Sequence, residues 1–342
     1  MLRRLLAGFA VAACTTGLLQ TPLGAQRSGG APAQEPGLPT EKQFAESPEA
    51  QKHVAAAMAI AKSDLQDEAK ANCTNTGPRR PSLIRQMQGL PPEPQVEIEP
   101  TKIFDNLYYF GFNTVGGWVV TTSAGIVLID TLNSTDDAQK VIEPALKKLG
   151  LDATQIKYII VQHGHADHFG GASYLQEKYG AKVAMGAPDW DIITAPGRGR
   201  GNRPVPRRDI DVTHNGQQLT VGDTTFTFAM TPGHTPGSIA IFFPIKQKGQ
   251  THTASLLSLT TPTQADLAAL EVAVNQYAKP QRTAVRLASH LQGEHIEWLA
   301  ALRKNPNGPN GYLYSEDRFA RYLDIMVECS RARVAALEYK AQ

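Results

Sequence analysis

The sequence has few cysteines and little charge. Three cysteines in 342 residues exclude a disulfide scaffold and a zinc site built from cysteine thiolates. Charged residues make up 19% of the chain, with 34 Lys and Arg against 32 Asp and Glu. That balance excludes a nucleic-acid-binding protein held by bulk positive charge. Hydrophobic residues reach 42%, so the chain can bury a sizeable core and is not globally disordered.

The N-terminus is apolar, but over too short a length to cross a bilayer. Arg3 and Arg4 precede an apolar stretch over residues 5–13, and small and apolar residues follow as far as Ala25. A positive start, a short apolar segment and a small-residue exit are typical of an export signal. We therefore predict a signal peptide over residues 1–25 and a periplasmic or secreted protein, rather than a membrane anchor.

The cysteines leave two questions open. Residues 11–14, Val-Ala-Ala-Cys, resemble a bacterial lipoprotein cleavage site, so a lipid anchor at Cys14 is the alternative to cleavage after Ala25. Cys73 and Cys329 remain in an exported chain. In an oxidising compartment this pair either forms a disulfide or stays as two buried thiols.

The order of segments predicts a layered α/β domain over residues 96–342, preceded by an extension over 26–95. Residues 26–46 are rich in Gly, Pro and Ala and predict a linker. Ser47-Pro48-Glu49 begins a predicted helix over 48–71, and prolines over 74–95 predict a loop. The predicted strands are 107–112, 117–121, 126–130, 158–161, 182–185, 224–230, 239–243 and 285–288, and the predicted helices are 136–149, 263–277, 294–303 and 315–338.

An arginine-rich stretch lies between Pro196 and Arg208, with five arginines among Gly, Pro and Asn. One interpretation is a loop that binds anions or nucleic acid. No aromatic side chain accompanies the arginines, and Asp209 and Asp211 follow them, so we favour a solvated surface loop.

The segment His163-Gly164-His165-Ala166-Asp167-His168 directly follows a predicted buried strand. Neutral imidazole nitrogens and a carboxylate oxygen are the donors that zinc prefers, and the intervening Gly and Ala leave room for them to converge. The end of a strand is also where α/β sheets place their chemistry. Four donor residues at this spacing predict a metal site.

Two later histidines have a similar context. His234 lies in a turn-rich loop between two predicted strands, and His290 follows the predicted strand that ends near residue 288. His295 competes with His290 as a ligand, but it falls near a predicted helix start. We predict that the remaining three are ordinary surface histidines: His53, His214 and His252.

The motif at residues 163–168, followed by Phe169-Gly170-Gly171, and the later segment 231–238 (TPGHTPGS) resemble the signature of the metallo-β-lactamase superfamily. The resemblance covers about residues 100–340 and is closest to the third subclass of metallo-β-lactamases, which are exported and use no cysteine ligand. It implies a four-layer αβ/βα sandwich with the site along its edge. It also implies two zinc ions with the following ligands: His163, His165 and His234 for one, and Asp167, His168 and His290 for the other.

One segment departs from the superfamily pattern. Most of its hydrolases bridge the two metals with an aspartate after the TPGH segment, and class-one lactamases have a cysteine there, but residues 252–260 contain neither. The third subclass typically reads Ala-Asp-Ser-Leu at this point, with serine in the bridging ligand's place. Ser258 and Leu259 match, whereas Leu257 replaces the aspartate. The same alignment implies that Ser258 and Thr260 face the substrate.

The resemblance implies a hydrolase in which Asp167 binds metal and orients the nucleophile. The first hypothesis is the opening of a β-lactam amide by a metal-bound hydroxide. Because of Leu257, the alternative is a periplasmic lactone, ester or amide hydrolase of the same fold with little or no β-lactamase activity. The complete ligand set argues against a third hypothesis, a metal-binding protein without turnover. We expect a small-molecule substrate, no nucleic acid and no membrane span.

Overall fold

The computed structural model describes residues 38–73, 89, 94–196, 203–259, 261, 263–291 and 293–340. In it, the predicted strands and several unpredicted ones form two β-sheets. The first sheet contains, in spatial order, β1 (Glu97–Phe104), β2 (Leu107–Phe112), β3 (Gly116–Thr122), β4 (Gly125–Ile129), β5 (Ile156–Ile160), β6 (Lys182–Gly186) and β7 (Ile210–Val212). The second has the spatial order β12-β11-β10-β9-β8 and contains β8 (Gln218–Val221), β9 (Thr224–Met230), β10 (Ile239–Gln247), β11 (Gln250–Leu256) and β12 (Thr283–Leu287).

Helices connect the strands and cover the sheets. They are α1 (Glu41–Glu46), α2 (Pro48–Ala61), α3 (Gln66–Cys73), α4 (Thr135–Asp137), α5 (Glu143–Lys148), α6 (Ala166–Phe169), α7 (Ala172–Tyr179), α8 (Ala187–Ile193), α9 (Gln264–Val272), α10 (Gly293–Lys304) and α11 (Glu316–Glu338). Two π-helical segments, Ala138–Ile142 and Ala273–Ala278, and a 3₁₀ turn, Ala153–Gln155, complete the described elements.

The central core lies between the two sheets because side chains alternate along each strand. On β4, Val127 and Ile129 face the central core, while Ile126 and Leu128 face the helices outside. The second sheet follows the same rule. Its inward side chains include the rings of Phe226, Phe228 and Phe243.

The outer layers give the fold its four-layer order. The π-helical segment Ala138–Ile142 and helices α5 and α7 bury apolar side chains against the first sheet, and α9 and α11 cover the second. The αβ/βα sandwich implied by the resemblance is therefore confirmed. Strands β4 to β7 are parallel, so their carboxyl ends lie at one edge of the first sheet.

The N-terminal helices extend the outer layer of the second sheet. Ala57, Ala61 and Leu65 are fully buried in one hydrophobic cluster with side chains of α11. A disulfide joins Cys73, at the end of α3, to Cys329 in α11. Of the two states that the sequence leaves open for this pair, the structure shows the bridge.

Several local predictions are corrected. The predicted helix over 48–71 is two helices, because Lys62 adopts a φ of 49° and ends α2. Part of the predicted linker is helical, since Thr40 forms a capping box at the start of α1. The helices predicted over 136–149 and 263–277 each contain a π-helical segment.

Some predictions concern residues outside the described part of the chain. These are the signal peptide with Cys14, residues 26–37 of the linker, residues 74–88 and 90–93 of the loop, arginines 198 and 200, and Thr260. Among the described arginines, Arg207 pairs with Asp209, and Arg208 pairs with Asp191 and Asp211. Within the described ranges, the helices are all too short or too polar to cross a membrane.

Candidate metal centre

Loops from both sheets meet at one edge of the sandwich. β5 leads into the segment that carries His163, His165, Asp167 and His168, and β12 leads to His290. The two sheets are linked here because Gly116 N–H donates to the Ser289 carbonyl (2.7 Å). The β9–β10 loop brings His234 to the same place, within 4.6 Å of His163 between ring centres.

The donor atoms form two groups. We call His163, His165 and His234 the first triad, and Asp167, His168 and His290 the second triad. Within each triad, one donor atom from each residue lies within 4.8 Å of the other two. The triads adjoin, since the rings of His163 and His168 are 3.8 Å apart.

The second triad converges closely. His168 Nε2 lies 3.2 Å from His290 Nε2, and Asp167 Oδ2 lies 3.4 Å from His290 Nε2 and 3.8 Å from His168 Nε2. Tetrahedral ligands with bonds of about 2.0–2.1 Å to zinc lie roughly 3.3–3.4 Å apart. The separations in the second triad therefore fit a metal ion.

The first triad contains polar atoms that no protein group satisfies. Both ring nitrogens of His163 are buried and have no hydrogen-bond partner in the described structure, a costly arrangement unless a ligand binds there. Burial, and then the neighbouring histidines, keep the pKa of His163 well below its ordinary value. The ring is therefore neutral at physiological pH and offers a lone pair, as zinc requires. Both triads fit divalent metal ions.

Asp130 orients His168 in the second triad. It follows β4, is fully buried, and accepts from His168 Nδ1 (2.8 Å), Ser289 Oγ (2.5 Å) and the Gln162 N–H (2.8 Å). Burial alone would lower the pKa of His168, but the Asp130 carboxylate raises it above its ordinary value. Because Nδ1 donates to Asp130, Nε2 faces the other donors, the arrangement typical of metal-binding histidines.

Backbone contacts orient His290 and neighbouring charges act on Asp167. His290 Nδ1 donates to the Thr114 carbonyl (2.8 Å), which directs Nε2 towards the second triad. Burial raises the pKa of Asp167, but His168 and His290 more than offset it, so the net pKa lies below its ordinary value. This carboxyl group is therefore ionised at neutral pH.

A second buried carboxylate links the two loops of the first triad. Asp189, in α8, is 1% exposed. It accepts from the Gly164 N–H (2.6 Å), the Thr235 hydroxyl (2.6 Å) and the Gly237 N–H (2.8 Å). The sequence analysis above predicts no role for Asp130 or Asp189. The position of Asp130 directly after a buried strand was an available signal, whereas Asp189 gave none.

His295, the competing candidate, lies outside both triads. It is fully buried and packs edge-on against the ring of Trp298, with 4.9 Å between the ring centres. Burial, and then the charge of Arg286, lower its pKa to about 3.

The three predicted surface histidines differ in exposure. The prediction for His53 is wrong: it is partly buried and its Nδ1 lies 2.6 Å from Glu328. His214 is exposed as predicted, whereas His252 is only partly exposed.

Ser258 lies close behind β11, which runs parallel to β12 and therefore ends at the same edge. It is partly buried, and its neighbours Leu257 and Leu259 pack against the hydrophobic cluster outside the second sheet. The serine is not a member of either triad. Its contact with substrate stays a prediction, as does that of Thr260.

Residues 115–247 match the model of the metallo-beta-lactamase superfamily, so the chain contains a domain of this superfamily. A hydroxyacylglutathione hydrolase of Pseudomonas putida is 30% identical over 167 residues, covering 46% of this chain and 56% of that protein. A metallo-beta-lactamase type 2 of Bacillus sp. (strain 170) is 30% identical over 145 residues, covering 42% and 52%. The chain spans about half the length of the curated relatives it matches.

The structural comparison agrees with the fold described above. BJP-1, a subclass B3 metallo-beta-lactamase of Bradyrhizobium japonicum, superposes with a TM-score of 0.54 at 24% identity. The match covers 66% of this chain and 89% of that one. The resemblance predicted from the histidine motifs is confirmed at the level of superfamily and fold.

Proposed function

We propose that the chain is a zinc-dependent hydrolase that opens the amide bond of a β-lactam. The observation that carries this proposal is the pair of adjoining donor triads at one sheet edge. His163, His165 and His234 would hold one zinc ion, and Asp167, His168 and His290 the other. Bound there, zinc lowers the pKa of water towards neutrality and polarises a carbonyl oxygen.

The chain's own residues prepare the site for this chemistry. Burial keeps His163 neutral, so its lone pair is available without loss of a proton, and the bond from His168 Nδ1 to Asp130 directs Nε2 of that ring to the other members of the second triad. Asp167 is ionised and its side chain is 34% exposed. One carboxylate oxygen faces the second triad, and the other can accept a hydrogen bond from the attacking water and orient it. No serine or cysteine nucleophile is needed.

A second candidate is a lactone, ester or other amide hydrolase with little or no β-lactamase activity. Leu257 favours it, because the side chain at this position packs into the outer hydrophobic cluster and offers no carboxylate. The similarity to hydroxyacylglutathione hydrolases over about half of their length also supports an acyl substrate other than a β-lactam.

We also propose that the chain is exported, with a signal peptide over residues 1–25, an extension over 26–95 and a hydrolase domain over 96–342. The disulfide between Cys73 and Cys329 supports export, because such bonds persist in oxidising compartments. Intact-mass measurement of the mature protein distinguishes cleavage after Ala25 from lipidation at Cys14.

Steady-state kinetics of the zinc-loaded protein test the proposed reaction. The panel contains penicillins, carbapenems, lactones and aryl esters, each measured before and after a chelator. Chelator-sensitive opening of a β-lactam supports the first candidate, and selective turnover of lactones or esters supports the second. Metal analysis that finds no zinc after reconstitution, or turnover of the panel that a chelator does not affect, contradicts both.

A further inference from the structure

We infer that Asp189 is a positioning residue that sets the metal affinity of the first triad and not that of the second. This inference rests on the proposed function, because it takes the first triad to be a metal site. Asp189 is not a member of either triad. It acts through the backbone of the two loops that carry the three histidines.

The bonding pattern joins those loops at one point. Gly164 lies between His163 and His165 in the chain, and its N–H donates to Asp189 Oδ2. Thr235 follows His234 directly, and its hydroxyl donates to the same oxygen. The Gly237 N–H donates to Oδ1. One buried carboxylate therefore accepts hydrogen bonds from the loop after β5 and from the β9–β10 loop.

The loops can reach Asp189 only because two of their residues lack side chains. A Cβ on Gly237 would lie 2.5 Å from the Asp189 nitrogen, and one on Gly164 would lie 2.9 Å from Asp189 Cβ. A Cβ does not approach another heavy atom this closely in real structures. Both loops therefore lie directly against α8, and Asp189 sits where they meet.

A carboxylate suits this position better than any other side chain. It is an acceptor at both oxygens and has no proton to oppose the three donors. An amide in its place would point an NH₂ group at one donor or another. An apolar residue would leave the Gly164 and Gly237 N–H groups buried without acceptors, which favours movement of the loops away from α8.

The second triad does not depend on this contact. Asp130 bonds to His168 itself, and the Thr114 carbonyl bonds to His290. Neither partner belongs to α8. Loss of Asp189 should therefore affect the two triads unequally, which a general loss of stability would not do.

The test compares zinc affinities by chelator competition in Asp189→Ala and Asp189→Asn. The matched control is Asp191→Asn, because Asp191 lies on the same helix with a side chain that is 71% exposed. We expect the affinity of the first triad to fall about 10–100-fold in the alanine variant, as for other supporting contacts at metal sites. We expect a smaller fall in the asparagine variant and none in the control or in the second triad.

His290→Ala provides the background that assigns the affected site, since it leaves only the first triad complete. In this background Asp189→Ala should weaken the single remaining zinc. An equal weakening of both zinc ions in the otherwise unchanged protein, or no weakening at all, overturns the inference. If Asp189→Ala fails to fold, as shown by the loss of a cooperative unfolding transition, Thr235→Val replaces it. This variant should lower the zinc affinity of the first triad alone, by a smaller factor. An unchanged affinity there also overturns the inference.

Different outcomes contradict the proposed function and the role of Asp189. A wild-type protein that takes up no zinc contradicts the proposed function. A wild-type protein that binds two zinc ions, beside an Asp189→Ala variant that binds both with the same affinity, leaves the proposed function intact and removes this inference.

Discussion

The two triads lie side by side but are held in place differently. In the second triad, hydrogen bonds act on the histidine rings: Asp130 accepts from His168 and the Thr114 carbonyl accepts from His290. In the first triad, the ring nitrogens of His163 have no hydrogen-bond partner in the described structure, and the polar contacts described above act on the loop backbone through Asp189.

The difference shows two ways to preorganise a ligand set. A bond to the ring fixes the tautomer and the direction of the lone pair. A bond to the backbone fixes the position of the residue that carries the ring. The zinc affinity of the second triad should therefore change when a single polar partner of a ring is replaced. The zinc affinity of the first triad should change when the geometry of its loops is altered.

The largest expected effect comes from Asp167→Ala, which removes the only carboxylate in either triad. Turnover should fall by about 10²–10⁴-fold or more, because the change removes a ligand and the group that orients water. Bound zinc should fall from two ions to one, while the circular dichroism spectrum stays the same. Asp136→Asn, on an exposed carboxylate paired with Lys140, serves as control. If the variant keeps full turnover and both zinc ions, Asp167 is neither a metal ligand nor the group that orients water.

Next in size is a contrast between two histidines five positions apart. His290→Ala should abolish binding of the second zinc, because its Nε2 is one of three converging donors. His295→Ala should leave both zinc ions bound and lower the thermal stability, since this ring fills a buried aromatic cluster. Zinc analysis and thermal melts separate these results. The assignment of the last ligand is wrong if the second zinc is lost from the His295 variant instead.

Asp130→Asn should have an intermediate effect confined to the second triad. The amide can no longer favour the His168 tautomer whose Nε2 faces the metal, so zinc affinity there should fall about 10–100-fold. Ser289→Ala is the matched control, because it removes one bond to Asp130 and keeps the bond to His168. Competition with a chromogenic chelator measures both. Equal losses in the two triads would contradict the separate support described above.

The smallest effect concerns His295, the histidine outside both triads. Its pKa is about 3 in the folded chain, below its ordinary value, because burial and Arg286 disfavour the charged ring. The unfolded state therefore binds a proton first, and the stability contributed by the neutral ring is lost as the pH falls below about 6.5. Between pH 8 and pH 5 this amounts to about 2 kcal/mol. Chemical denaturation at both pH values should show a smaller pH dependence in His295→Phe; an equal slope would refute the assignment.

The parts predicted from sequence are those whose signal is local. Strands with continuous or alternating apolar residues, such as Leu107–Phe112 and Thr224–Met230, are found within a residue or two of their predicted ends. The HGHADH motif also indicates its own chemistry, because four donor residues stand within six positions. Short polar strands such as Gln218–Val221 were missed, since their pattern is too brief to separate from a loop.

The parts that could not be predicted depend on contacts between distant segments. Asp189 is one acid in a short helix, and its role exists only because loops near residues 164 and 237 reach it. The break at Lys62 has no glycine or proline to mark it in the sequence, and the helices on either side of it pack against α11. The Cys73–Cys329 pairing likewise needed the fold, because 256 positions separate the two residues.

That pairing makes the chain a closed ring from residue 73 to residue 329. Every connection that carries a donor residue lies on this ring. A protease that cuts the ring once, at any loop, opens it without releasing a fragment. The cleaved molecule keeps its mass on a non-reducing gel and separates into two bands only after reduction.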